Sequence, residues 1–238
     1  MLEDAAIGRI LARYPHASAF QRWHMRGRLR LCPYDALPKH LTGSGTLLDV
    51  GCGFGHLAWC LESVKPGLRY FGTDIDARKI ALAQGSLVAA AVSPAMASGK
   101  APGDPARASA AEFRFGDARE LPDLPERFGN IVFLDVLYLM PWEMQKGMLE
   151  WAFAHLASDL GSALVIKTME EARGFSGFRA VAEEWIMVKL LRRTLSSGAL
   201  NGARPASDYL DFARGLGFRG ETESLGTFNP STLIRFRR

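Results

Sequence analysis

Four aspartates and a run of glycines are the residues whose types and spacing suit chemistry. Thr46 to His56 reads TLLDVGCGFGH, so Asp49 is followed by Gly51, Gly53 and Gly55 at alternate positions. Glycine at a turn supplies positive φ, and without a Cβ it lets backbone N–H groups come close to a ligand. Such N–H groups, together with a helix N-terminus, favour acceptor or anionic groups. Further along, Asp74 follows RYFGT, Asp117 lies in Gly116-Asp117-Ala118, and Asp135 follows NIVFL. A carboxylate accepts two hydrogen bonds at once, so each of these acids could hold a donor group of a ligand. The alternative for these acids is an N-cap or turn role. For the glycines it is a tight left-handed turn that binds nothing.

Those residues need strands that end where they stand. Thr46, Leu47, Leu48 and Val50 compose a short buried strand, and Leu57, Ala58, Leu61 and Val64 recur at helical spacing after the glycines. A second strand over Arg69–Thr73 ends at Asp74 and leads into a helix over 76–91. A third, Glu112–Phe115, ends at the Gly-Asp-Ala run. The fourth, Asn130–Leu134, is the most strongly apolar candidate, as a strand buried on both faces would be. A helix over 142–157 and a fifth strand over Ala163–Thr168 follow. Ser207–Leu216 reads as a helix capped by Ser207 and closed by Gly217. Two last strands, 221–225 and 232–237, flank a Gly and Pro turn and predict an antiparallel hairpin. The alternation predicts an α/β, doubly wound, mostly parallel seven-stranded sheet with that hairpin at its C-terminal end.

Before the first strand, Ile7, Ile10, Leu11 and Tyr14 share a helical face, and Ala19–Leu31 mixes Phe20, Trp23 and Met25 with four arginines. Residues 1–45 therefore predict a helical N-terminal cap, and residues 46–238 the α/β domain. Two segments break its rhythm. Residues 93–110 are an Ala, Gly, Pro and Ser tract that reads as a mobile surface loop. Residues 174–204 read as a helical insertion with Phe178, Val181, Trp185 and Val188 on one face.

Composition narrows the classes. The 238 residues carry a formal charge of +4, and 48% are hydrophobic, enough for a full core. No run of eighteen uncharged apolar residues and no basic, apolar leader is present, so a cytoplasmic location without a transmembrane segment is expected. Three cysteines without a CxxC or Cys/His pattern indicate neither a disulfide framework nor a metal site. The basic charge fits a solvated surface, an anionic substrate or nucleic acid, and no zinc-finger, KH or RRM signature accompanies it.

The glycine run is not the GxGxxG of dinucleotide sites, because its third glycine comes one residue early. DxGxGxG resembles the first motif of the class I, Rossmann-like S-adenosylmethionine-dependent methyltransferases, and the resemblance extends from Thr46 to the C-terminus. It implies S-adenosyl-L-methionine as cofactor and S-adenosyl-L-homocysteine as product. Asp49, Gly51, Gly53 and Gly55 would hold the methionine portion, Asp74 the ribose hydroxyls, and Cys52 and Ile75 would join the cofactor site. Asp117 and the backbone of Ala118 would face adenine. Asp135, ahead of Val136, Leu137 and Tyr138, takes the place that faces the transferable methyl. Asn130 departs from the acid with which relatives begin the fourth strand. The run RGRLRLCPYDALPKHL, with KT at the end of the fifth strand and an acidic helix around Glu183 and Glu184, looks like a bacterial small-molecule group associated in part with lipid or polyene biosynthesis.

No NPPY-like tetrapeptide follows Leu134, which argues against amino groups of nucleic-acid bases as acceptors. The resemblance therefore implies methyl transfer to a small, partly apolar acceptor, a hydroxylated aromatic or acyl compound. An RNA methyltransferase and a non-catalytic S-adenosylmethionine-binding protein are the alternatives. Asp135, Tyr138 and His24 are the catalytic candidates, with His16, Glu170 and Glu171 behind them. His56 reads as a helix-start residue. Arg26, Arg28 and Arg30 suit the cofactor carboxylate or an acidic acceptor, since guanidinium pairs with carboxylate in bidentate fashion. Phe175, Phe178 and Trp185 would roof an apolar pocket or fill the insertion's own core.

Overall fold

A computed structural model describes residues 2–42, 44–92, 111–159, 161–169, 202–225 and 231–238. The mobile loop expected at 93–110, nearly all of the insertion at 174–204, and Glu170 and Glu171 lie outside the described residues. Among the described residues the strands are β1 (Ser44–Val50), β2 (Gly67–Asp74), β3 (Ala111–Phe115), β4 (Asn130–Leu134), β5 (Ala163–Met169), β6 (Arg219–Ser224) and β7 (Ser231–Arg237). They form one seven-stranded mixed sheet in the order β3-β2-β1-β4-β5-β7-β6. Its helices are α1 (Asp4–Ala12), α2 (Ala19–Leu31), α3 (His56–Leu61), α4 (Ala77–Val92), α5 (Trp142–His155) and α6 (Ala206–Gly215). No helix among the described residues is long and apolar enough to cross a membrane.

The chain divides into two units, Met1–Asn130 and Ile131–Arg238. In the first, β1 pairs with β2 and β2 with β3, all parallel, with Leu48 opposite Phe71 and Asp74 opposite Phe115. Parallel neighbours require crossovers, which α3 and α4 supply. Leu47, Leu48, Leu57, Phe71, Ile80 and Phe113 are buried around this sheet.

The N-terminal helices are built by capping as much as by apolar spacing. Ile7, Ile10 and Leu11 are buried on α1. Ser18 and Gln21 make a reciprocal capping box at the start of α2. Beyond the end of α1, the Arg22 guanidinium donates to the carbonyls of Leu11, Tyr14, Pro15 and Ala17 at 2.7 to 3.2 Å. A cation suits the negative end of a helix. Asn130 shows why an amide replaces the expected acid at the head of β4. Its Nδ2 donates to Thr42 Oγ1 at 2.6 Å while its Oδ1 accepts from Thr42 N at 2.9 Å, and an ionised acid could supply only the second bond.

In the second unit β7 runs antiparallel to both β5 and β6, with Ile234 opposite Ile166 and Thr222. The hairpin is thus present, although its turn at 226–230 lies outside the described residues. α6 differs from the sequence expectation at its start. Its N-cap is Pro205 and makes no side-chain cap. Ser207 is already inside the first turn, its hydroxyl 3.5 Å from Asp208 Oδ1. At the other end Gly217, at φ +84°, closes the helix as expected. Phe218 N bonds Ala213 O at 2.9 Å and Gly217 N bonds Arg214 O at 3.0 Å, the double bond of a Schellman motif.

Candidate functional site

The glycine turn is fastened to the end of β2. Gly51 N and Cys52 N both donate to Thr73 O, at 2.7 and 2.9 Å, and Gly55 N donates to Cys52 O at 3.0 Å. Gly53 N donates to Asp74 Oδ2 at 2.9 Å, while Asp74 Oδ1 accepts from Asp76 N at 2.8 Å. One carboxylate therefore holds the turn and the approach to α4 together. These four N–H groups have partners within the protein. What the turn leaves open is space: a Cβ on Gly53 would meet nothing within 4 Å. Gly55 is required for a different reason. At φ +75°, it lies so close to β3 that a Cβ would stand 2.3 Å from the Phe113 ring.

Beneath the turn, Asp49 is buried and accepts a 2.5 Å hydrogen bond from the Tyr70 hydroxyl. Burial pushes its carboxyl up to about 7, with Asp74 adding to the effect and the Tyr70 bond and Arg28 opposing it. Asp49 thus supports the turn from the interior. Cys52 is also pushed well above its usual range by burial and by the charges of Asp49 and Asp74.

At the next two strand ends, Ile75 and Phe115 expose large apolar side chains, at 54% and 58%. Gly116 N is tied to Asp74 O at 3.1 Å, which brings the Gly-Asp-Ala run to the end of β2. Asp117 there acts as a turn acid. It accepts from Arg119 N at 3.0 Å and pairs with the Arg119 guanidinium, whose Nη2 is 2.6 Å from Oδ2. That pairing holds its carboxyl below the usual carboxylate range. Ala118 is buried beside it.

The N-terminal helices reach the same turn. Tyr14 donates to Phe54 O at 2.7 Å and accepts from Trp59 Nε1 at 3.0 Å. Arg13 lies 4.1 Å above the Trp59 ring and pairs with Glu62. His24 stands edge-on to Phe54 at 5.8 Å. Burial, then Arg28 and Lys79, lowers His24 to about 4, so its imidazole is neutral near pH 7 and a weak base. His56 is buried at the first position of α3, where burial, then Arg28 and His24, lower it to about 3. Its Nε2 has no hydrogen-bond partner among the described residues. His16 is exposed. Arg30 is committed to Asp4 at 2.6 Å.

Asp135 and Tyr138 belong to the second unit. Asp135 follows β4 at φ +60°, the one non-glycine with positive φ among the described residues. Its Oδ1 lies 2.6 Å from Lys167 Nζ on β5. Sequence reasoning missed this pair as a site, although a single lysine in the apolar strand ALVIKT was the signal. Tyr138 is buried in a short 3-10 turn, Leu137–Leu139. Close by, Gln145 Nε2 donates to the carbonyls of Met140 and Gly202, and Tyr209 donates to Gln145 Oε1.

The methyltransferase small domain matches residues 34–102. No curated protein matches the chain. Mitomycin 7-O-methyltransferase superposes with a TM-score of 0.63 at 19% identity, covering 98% of this chain and 60% of that one. The chain carries the fold of the class I S-adenosylmethionine-dependent methyltransferases. Magnesium protoporphyrin IX methyltransferase from Synechocystis, solved with S-adenosylhomocysteine, has a TM-score of 0.60 at 17% identity over 98% of this chain and 93% of its own. Human N-acetylserotonin methyltransferase, in complex with S-adenosylmethionine, has 0.58 at 17%, over 98% and 56%. In this methyltransferase fold the turn after β1 and the acid after β2 lie at strand C-termini, the end where open α/β sheets bind ligands.

Proposed function

We propose that the protein is an S-adenosylmethionine-dependent methyltransferase that moves a methyl group, by in-line displacement, to a small, partly apolar acceptor such as a hydroxylated aromatic or acyl compound. The observation that carries this reading is the turn clamped to Asp74, with open space over Gly53 and the apolar pair Ile75 and Phe115 beside it. These residues fit the cofactor. Gly51, Cys52, Gly53 and Gly55 shape the wall for its methionine end, supported from below by Asp49. Asp74 keeps lone pairs free beyond its two backbone bonds and takes the ribose hydroxyls. Ile75 and Phe115 offer apolar surface for adenine. With Asp117 turned to Arg119, the backbone of Ala118 is the remaining reader of its edge. When bound, the cofactor supplies an already activated methyl on a sulfonium. The chain's task is then to orient and to exclude water, where alignment contributes up to about 7 to 11 kcal/mol in the ideal limit. Asp135 and Tyr138 serve the acceptor end, and His24 is too weak a base for a leading role.

A nucleic-acid acceptor is disfavoured by the fate of the arginines. Among the described residues, Arg13, Arg22, Arg30 and Arg119 are engaged with partners inside the chain. Two measurements test the proposal. Asp74→Ala should weaken S-adenosylhomocysteine binding about tenfold or more by calorimetry. Unchanged affinity refutes the site. Label from methyl-labelled S-adenosylmethionine, offered to an extract of the source cells, should enter organic-soluble or small polar compounds. Label in a nuclease-sensitive pool would make the acceptor RNA. Binding without transfer to any pool would leave a cofactor-binding protein without turnover.

A further inference from the structure

The pair Asp135 and Lys167 is the least economical feature of the second unit. Their side chains are only 2% and 7% exposed, and Nζ lies 2.6 Å from Oδ1. Around Lys167, the β5 residues Leu164, Val165 and Ile166 are wholly buried. Breaking such a pair leaves a buried charge, while replacing both members by apolar groups is often neutral or better for stability. The pair is therefore poorly explained by stability alone. Asp135 also holds a left-handed backbone that L-residues adopt at a cost, and such outliers gather at functional sites. Finally, an ammonium has three donors. Among the described residues Lys167 has Asp135 as its one partner. Lys167 lies near the C-terminal end of β5, beside the residue that follows β4, on the ligand-binding end of an open α/β sheet.

We infer that Lys167 is a catalytic residue that binds the acceptor oxygen as an oxyanion, with Asp135 holding the ammonium in place, and that the reaction is therefore O-methylation. This inference rests on the methyltransferase reading. An ammonium donor stabilises a phenolate, enolate or carboxylate and lowers the pKa of the hydroxyl it contacts, so that the hydroxyl ionises more readily. It works against an amine acceptor, because a hydrogen bond to nitrogen occupies the lone pair that must attack. The balance is simple. The acceptor hydroxyl gives its proton to water, and its oxygen then forms the bond to the methyl carbon. The carbon–sulfur bond breaks, and its electron pair stays on the thioether. Lys167 keeps its proton throughout.

Three readouts test this. First, label transferred by the unmodified protein to the cell extract should be released as volatile methyl iodide by hot hydriodic acid, which cleaves O-methyl but not N- or C-methyl groups. Second, Lys167→Met should lower transfer about 100-fold or more, while S-adenosylhomocysteine affinity stays within about threefold, and the lost transfer should recover as pH rises and the acceptor ionises unaided. Third, 4-nitrophenol added to the S-adenosylhomocysteine complex should ionise at lower pH with the unmodified protein than with Lys167→Met, read from its visible absorbance. Because the single variant takes the ammonium away from the buried Asp135 carboxylate, the double variant Asp135→Asn, Lys167→Met serves as the folded control. It should match the unmodified protein in thermal unfolding and still fail to transfer. Label that survives hydriodic acid, transfer that survives in the folded double variant, or identical 4-nitrophenol titrations would overturn the inference. No incorporation at all by the unmodified protein would overturn the methyltransferase reading, and this inference with it.

Discussion

Asp49→Asn separates the electrostatic cost of the acid beneath the turn from its hydrogen bonding. Asparagine keeps an oxygen for the Tyr70 hydroxyl, which lies 2.5 Å from Oδ2 in the native chain. It removes the charge that burial opposes. The native carboxyl titrates near 7 against a reference of 3.8, so between those values the folded state holds a proton that the unfolded state has lost. Stability then falls as pH rises through that window and is level above it. From about pH 5 to about pH 8 the loss is about 3 kcal/mol, at about 1.4 kcal/mol per pH unit below 7. The asparagine variant has no such loss. Burying its amide NH2 changes stability by a constant amount, which cancels in the pH dependence. Thermal unfolding of the two chains across that range should therefore show the variant gaining on the native protein by roughly 5 to 10 °C. The gain should saturate near pH 7 to 8. Parallel melting curves across the range would show that Asp49 is not held protonated by burial, and the account of the turn's interior would fall.

Two substitutions probe the packing that shapes the site. Gly55→Ala puts a Cβ 2.3 Å from the Phe113 ring at φ +75°, and should cost about 3 kcal/mol from overpacking and left-handed strain together. Denaturant unfolding should show the loss, and Phe113→Leu in the same chain should restore part of it; a neutral Gly55→Ala would refute the close approach of turn and strand. Arg22→Met keeps the aliphatic stem but abandons the four carbonyls after α1. It should cost about 1 to 3 kcal/mol in thermal unfolding, and an unchanged melting temperature would show that water replaces the guanidinium freely.

The parts of this structure that sequence makes legible are those decided by neighbours along the chain. NIVFL is a strand over the expected five residues because the four positions after Asn130 are an unbroken apolar run, buried throughout. Gly217 ends α6 because only a residue at ease with positive φ permits the Schellman bonds. The start of α6 was misplaced because Ser207 looks like a cap, whereas Pro205, extended at ψ 153°, already occupies that position. The site shows the same division. Glycine spacing and the acids after β2 and β3 lie in plain view in the sequence. Asp117's pairing with Arg119 is a local turn preference that competes with the ligand role assigned from its position. The Tyr70 bond to Asp49 depends on register, for Tyr70 stands opposite Leu47 and its phenol spans diagonally along β1. Lys167 needed the partner that only the tertiary structure places beside it.

The hydroxyl of Tyr14 binds a carbonyl forty residues further along, on Phe54 of the glycine turn. The two N-terminal helices are thus not interchangeable trimmings. A chimera that joined the turn of this chain to the opening helices of a relative would have to carry Tyr14, Phe54 and Trp59 as one inherited set. For an engineer, the sensible splice point lies ahead of α1, not between the helices and the first strand.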